Sequence, residues 1–131
     1  MKKIDIACII DDDPIFVFGT KRIMELANFC ENFTVFPNGE EAINHLKPIM
    51  EAGGPSIPDV ILLDLNMPIM DGWQFLDEFT SIPTKKKIII YIVTSSINPE
   101  DMEKAKKYDS ISNYLVKPIS VEDLKDILEN M

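Results

Sequence analysis

The chain has 131 residues, 46% of them hydrophobic and 27% charged, with a formal net charge of −9. That length suits one domain with a buried core, and the negative charge argues against direct nucleic-acid binding, because phosphate backbones would be repelled. No apolar run is long enough to span a bilayer and no signal-peptide pattern opens the chain, so a cytoplasmic protein without a membrane partner is expected.

Ile4 to Ile10 reads as a strand, apolar except for Asp5, and it runs into Asp11-Asp12-Asp13-Pro14. Asp13 before Pro14 marks a helix start, with an acid at the cap and proline at the first helical position. This helix runs to about Asn28, and its first turns (Ile15, Phe16, Val17, Phe18) are apolar nearly all round, which predicts that they are covered. Phe33 to Phe36 is a second, short strand. Asn38-Gly39-Glu40-Glu41 opens a second helix in capping-box spacing, ending near Pro48 to Glu51. His45 lies on it and is expected to be solvated. Cys8 and Cys30 have no CxxC or zinc spacing, and Cys8 is expected in the core.

Residues 52–58 form a Gly/Pro-rich loop. Val60-Ile61-Leu62-Leu63 then leads straight into Asp64-Leu65-Asn66-Met67-Pro68. A short apolar run bounded by Pro58 and Pro68 reads as a strand buried on both faces, with Asp64 at its carboxyl end. Asp71-Gly72 is a turn, and Trp73 to Ser81 a third helix with Trp73 in a packing role. Lys85-Lys86-Lys87 is a solvated, gatekeeping run before the strand Ile88 to Val93, which ends at Thr94-Ser95-Ser96. Asn98-Pro99-Glu100-Asp101 starts a fourth helix reaching Tyr108. Its apolar stripe is only Met102, Ala105 and Tyr108, which predicts a locally mobile element. Asn113 to Val116 is a fifth strand ending at Lys117-Pro118, and Ser120 caps the last helix.

Five strand–helix units in alternation predict an α/β, doubly wound, parallel sheet with helices on both faces and one domain over 1–131. In such a sheet the carboxyl ends share one edge, where ligands bind. That edge collects Asp11 and Asp12, Asp64 with Asn66, Thr94 with Ser95, and Lys117. Carboxylates gathered there repel one another unless a cation intervenes. An all-oxygen set that leaves room for waters and a phosphoryl oxygen suits Mg²⁺. A carboxylate can attack phosphorus, and hydroxyl and ammonium donors stabilise the transferred group.

Asp-Asp after the first strand, Leu-Leu-Asp-Leu-Asn-Met-Pro-x-Met-Asp-Gly around the third, Val-Thr-Ser after the fourth and Tyr-Leu-Val-Lys-Pro at the fifth resemble a CheY-like response-regulator receiver domain of stand-alone type. The four motifs occur in order and cover essentially the whole chain. The resemblance implies a flavodoxin-like five-stranded sheet of order 2-1-3-4-5 with five helices. It implies Asp64 as phosphoacceptor from a sensor histidine kinase. Mg²⁺ would be held by Asp12, Asp64 and the Asn66 carbonyl, with Asp11 partly through water. Thr94, Ser95 and Lys117 would bind the phosphoryl group, Tyr114 would follow Thr94 inward, and the Lys117–Pro118 peptide would be cis. Asn66 and Ser96 would tune the lifetime of the phosphorylated state.

The expected output is a changed binding surface on the fourth helix, fifth strand and fifth helix, or transfer of the phosphoryl group to a histidine phosphotransfer protein. No output domain and no enzymatic activity beyond its own phosphorylation and dephosphorylation are expected. The resemblance leaves open a homodimer through that surface. The 52–58 loop and Thr94-Ser95-Ser96-Ile97-Asn98 are similar to small regulators that pair with phytochrome-type kinases.

Two rivals name different chemistry. A haloacid-dehalogenase-type phosphatase would use Asp11 as nucleophile, since Asp11-Asp12-Asp13 fits its Asp-x-Asp spacing, but Pro14-Ile15 departs from its pattern. A flavodoxin-type module would need a hydroxyl- and glycine-rich loop where three aspartates would repel the FMN phosphate.

Overall fold

Strand runs with both faces apolar need cover above and below, and the chain supplies it by alternating β1 (Ile4–Ile10), α1 (Pro14–Ala27), β2 (Cys30–Phe36), α2 (Gly39–Ala52), β3 (Val60–Asp64), α3 (Gly72–Phe79), β4 (Ile89–Thr94), α4 (Pro99–Ala105), β5 (Ile111–Val116) and α5 (Val121–Glu129). The computed structural model describes residues 4–67, 69–84, 86–95, 98–108 and 111–130. Pro68, Lys85, Ser96 and Ile97, each named above, lie outside the described residues.

All four strand pairings are parallel, in the order β2-β1-β3-β4-β5. Side chains alternate across each strand, so one sequence feeds two cores. Cys8, Ile10, Ile61, Leu63, Ile90 and Ile92 meet the buried faces of α2 and α3. Ala7, Ile9, Val60, Leu62, Tyr91 and Val93 meet α1 and α5. Helices therefore flank both faces, as a doubly wound sheet requires.

The helix starts are fixed locally. Asp13 Oδ1 accepts from the Ile15 and Phe16 amides at 3.0 and 3.3 Å. Asn38 Oδ1 accepts from Glu41 N at 2.9 Å. Reciprocal capping boxes close at Asp71–Gln74 and Ser120–Asp123. Asp71 is thus the cap of α3 rather than part of a free turn, and the helix starts at Gly72.

Four expectations change. β2 begins at Cys30 and β5 at Ile111, earlier than the apolar runs indicate, because the ladder with β1 and β4 holds their polar residues extended. α4 ends at Ala105 instead of Tyr108. The start of α1 is not covered, since Ile15 and Phe18 are 83% and 67% exposed while Val17 alone of the four is buried. α2 ends as expected, at Ala52, one residue past Glu51, with Pro48 inside it.

The amino-terminal edge of the sheet has its own fastening. Asp59 accepts from Ile6 N at 3.0 Å and pairs with Lys86 Nζ at 2.9 Å, while Lys86 also donates to Ile57 O at 2.6 Å.

Candidate functional site

Register decides what meets at the carboxyl edge. Ile10 stands beside Leu63, Asp64 beside Val93, and Thr94 beside Val116. The next residue of β1 is Asp11, whose N–H donates to Phe36 O at 3.0 Å, and the next of β5 is Lys117, whose N–H donates to Thr94 O at 2.8 Å. Asp11, Asp64 and Thr94 are therefore carried by ladder bonds and are buried. Asp12, Asn66 and Ser95 sit one step further out and are exposed, while Lys117 is half-buried and its peptide to Pro118 is cis.

Asp11, Asp12 and Asp64 each present a carboxylate oxygen within 4.8 Å of the others. Asp11 Oδ1 accepts from Asp13 N at 2.9 Å and Asp64 Oδ1 from Asn66 N at 3.5 Å. Lys117 Nζ lies 2.9 Å from Asp11 Oδ2 and 4.0 Å from Asp64 Oδ1. The shorter contact pairs the ammonium with the buried Oδ2 of Asp11. Phe16 lies under the same ammonium, 4.4 Å from nitrogen to ring centre, a cation–π contact.

The electrostatics follow from that crowding. Burial, and after it the Asp11 charge, pushes the Asp64 carboxyl up to about 6. Burial likewise raises Asp11, partly offset by Lys117. Burial works against the Lys117 charge, but the Asp11 and Asp64 carboxylates outweigh it and hold the ammonium above its ordinary value. Three hard oxygen donors, with one lysine to share among them, form a set short of positive charge. This donor set fits a divalent cation such as Mg²⁺.

The loop behind Asp64 leaves no room for a side chain at Gly72. A Cβ there would stand 2.6 Å from the Asp64 carbonyl oxygen and 2.9 Å from Leu65 Cα, and Gly72 N donates to Leu65 O at 3.0 Å. The glycine lets α3 start directly against the strand end. In the same loop Ile69 has φ 68°, a strained conformation for a β-branched residue.

Tyr114 sits away from the acids. It is half-buried against the α2–α3 core and its hydroxyl donates to Met102 O of α4 at 3.2 Å. Sequence reasoning missed three contacts: Phe16 under Lys117, the pairing of Lys117 with Asp11 in preference to Asp64, and the stacking of Trp73 on Tyr108 at 5.7 Å. The Asp-Pro-Ile-Phe run was a signal for the first, as it places an aromatic ring in the first turn beside the acids.

Comparison with known proteins identifies the family. The family model of the response regulator receiver domain matches residues 7–129. A probable methanogenesis regulatory protein, FilR2 of Methanothrix harundinacea, is 29% identical over 126 residues, covering 96% of this chain and 80% of its own length. The chain spans about half the length of several other curated relatives. The crystal structure of a two component response regulator from Cytophaga hutchinsonii is 32% identical, with TM-score 0.85 and coverage of 99% of this chain and 100% of that one. A bacteriophytochrome response regulator, RtBRR, shares the fold at TM-score 0.77 and 23% identity, covering 96% of this chain and 76% of its own. Nothing in these comparisons supports the phosphatase with Asp11 as nucleophile, and Asp11 is already engaged on both oxygens. The chain belongs to the response regulator receiver domain family of two-component signal transduction.

Proposed function

We propose that Asp64 is the phosphoacceptor, taking a phosphoryl group from a phosphohistidine on a sensor histidine kinase. The observation that carries this reading is its position: a carboxylate at the end of the fully buried central strand β3, between two other acids and Lys117. A carboxylate oxygen forms the new bond to phosphorus while the phosphorus–nitrogen bond breaks and the imidazole leaves with that electron pair. Only the ionised carboxylate attacks, and positive charge beside Asp64 favours that form over the raised pKa that burial gives it. Mg²⁺ held by Asp11, Asp12, Asp64 and the Asn66 carbonyl would supply that charge and shield the transferred oxygens.

Lys117 is placed to leave Asp11 and pair with the phosphoryl group. Thr94 and Ser95, at the end of the neighbouring strand, are the hydroxyl donors. Tyr114 responds next, because its hydroxyl already holds α4. The signal then emerges on α4, β5 and α5, as a surface for a downstream protein or for a second copy of the chain, or the phosphoryl group passes to a histidine phosphotransfer protein. The chain catalyses no reaction beyond its own phosphorylation and dephosphorylation. A kinase of phytochrome type accords with the long Gly/Pro loop at 52–58. The test is labelling with acetyl phosphate and Mg²⁺, trapping the acyl phosphate by borohydride reduction and mapping it by mass spectrometry. The mark is expected on Asp64 and is lost in Asp64→Ala. A mark on Asp11, or one that survives in Asp64→Ala, overturns the assignment.

A further inference from the structure

At the opposite end of the sheet a cavity of about 510 Å³ opens between the end of α3, the start of β4 and the residues after α4. Its walls include Phe79 and Ile90, both buried, with Ile82 and Ile88 half-buried beside them. Its rim carries Lys86, Lys87 and Lys107, with the hydroxyls of Thr84, Tyr108 and Ser112. Among the described residues no carboxylate lines it, in a chain that holds 22 Asp and Glu against 13 Lys and Arg. The site described above lies at the far end of β4. Thr94 is five residues from Ile89, about 16 Å along an extended strand.

The three lysines are not equivalent. Lys86 is committed to Asp59 and the Ile57 carbonyl. Lys87 and Lys107 are exposed, and neither pairs with a carboxylate among the described residues. An apolar floor asks for an apolar body, and two free ammonium groups at its mouth ask for a negative head. The volume falls in the range of small-molecule sites. The overall charge of −9 does not forbid an anion here, since exposed charges beyond about 10 Å are largely screened at ordinary ionic strength.

We propose that this cavity binds a small amphiphilic anion: an apolar chain or ring seated on Phe79, Ile82, Ile88 and Ile90, and a carboxylate or similar head held by Lys87 and Lys107. The position gives such a ligand a route to α4. Tyr108 forms part of the wall, its ring stacks on Trp73, and its hydroxyl donates to Asp77 of α3. Occupancy therefore changes the surroundings of Trp73, the one tryptophan of the chain.

The probes are decanoate and its uncharged counterpart decanol, titrated into the whole chain and followed by amide shifts and Trp73 emission. Decanoate is expected to saturate one site, with the largest shifts at residues 79–90, Tyr108 and Ser112. Decanol is expected to bind about tenfold more weakly, the combined effect of two exposed ion pairs. The double variant Lys87→Glu, Lys107→Glu removes that preference while accepting the acetyl phosphate label as the parent does, which shows that it is folded. Equal binding of decanoate and decanol, undiminished decanoate binding by the double variant, or shifts centred on the exposed Ile15 and Phe18 of α1 would each overturn the proposal.

Discussion

Helices α3 and α4 follow the two strands that carry Asp64 and Thr94, and they differ by a single residue in length. Their attachment is opposite in kind. α3 buries Gly72, Trp73, Phe75, Leu76 and Phe79, with Phe75 and Phe79 stacked at 5.1 Å. α4 buries Ala105 alone. What holds α4 is peripheral: Tyr114 donating to Met102 O, Lys104 lying 5.0 Å from the Trp73 ring, and Tyr108 stacking on Trp73 just past the helix end. Apolar burial fixes one helix against the strand of Asp64, whereas a few directional contacts hold the other. The proposed function needs that division, since an acceptor at Asp64 would stay in place while a neighbouring surface changes. Elements with little buried apolar surface open locally at low cost.

The largest test of this contrast removes side chains from each helix. Phe75→Ala in α3 is expected to cost about 3–5 kcal/mol of stability, as for other buried aromatics. Met102→Ala in α4, where the side chain is 42% exposed, is expected to cost less than about 1 kcal/mol. Urea unfolding midpoints measure both, and comparable losses would show that α4 is packed as firmly as α3.

The next effect is electrostatic and belongs to the firm side. In the metal-free protein the Asp64 carboxyl is raised to about 6 by burial and the Asp11 charge, from an ordinary value of 3.8. A carboxyl raised on folding makes the native state bind more protons than the unfolded one across that window. Stability therefore falls as pH rises from about 4 to 6, and the ionised group remains a burden above it. Asp64→Asn is expected to flatten this slope and to stabilise the metal-free protein at pH 7 by roughly 1–2 kcal/mol, after allowance for solvent screening. Thermal melts from pH 4 to 8 measure it. Because Asp64 is anchored through β3 and α3, amide exchange in α4 should be the same in the variant. Loosening of α4 there would mean that the two helices are not separately held.

The sequence discloses most of what burial and capping decide. Runs such as Val60 to Leu63 can be satisfied only inside a sheet, and Asp13, Asn38 and Ser120 announce their helices by the bonds they are able to make. The four strand ends and their polar residues follow from that alone. Edge strands are harder, because Cys30 and Asn32 are extended by their partners in β1 rather than by their own preference. The end of α4 is hidden for a similar reason. Lys106 and Lys107 are good helix formers, and only the packing of Tyr108 on Trp73 shows where the helix stops. An apolar run such as Ile15 to Phe18 does not disclose which of its faces lacks a neighbour. Nor does order in the chain tell Lys117 whether to favour Asp11 or Asp64. That choice depends on distances across three strands.

The finest test takes one atom from the α3–α4 contact. The Tyr108 hydroxyl donates to Asp77, and this bond above all, with burial after it, pushes the phenol up to about 12. Tyr108→Phe keeps the ring on Trp73 and removes the donor. The expected loss is about 0.5–1 kcal/mol, read as a small shift in the urea midpoint. Asp77→Asn should leave the stack but bring the phenol back toward its ordinary 10, which titration of tyrosine absorbance reports. The two variants separate the parts of the contact. If the directional bond holds α4, Tyr108→Phe speeds amide exchange at Met102 and Ala105 while leaving Phe75 and Leu76 protected. If stacking alone holds it, exchange in α4 is unchanged in Tyr108→Phe and rises only when the ring itself is removed in Tyr108→Ala.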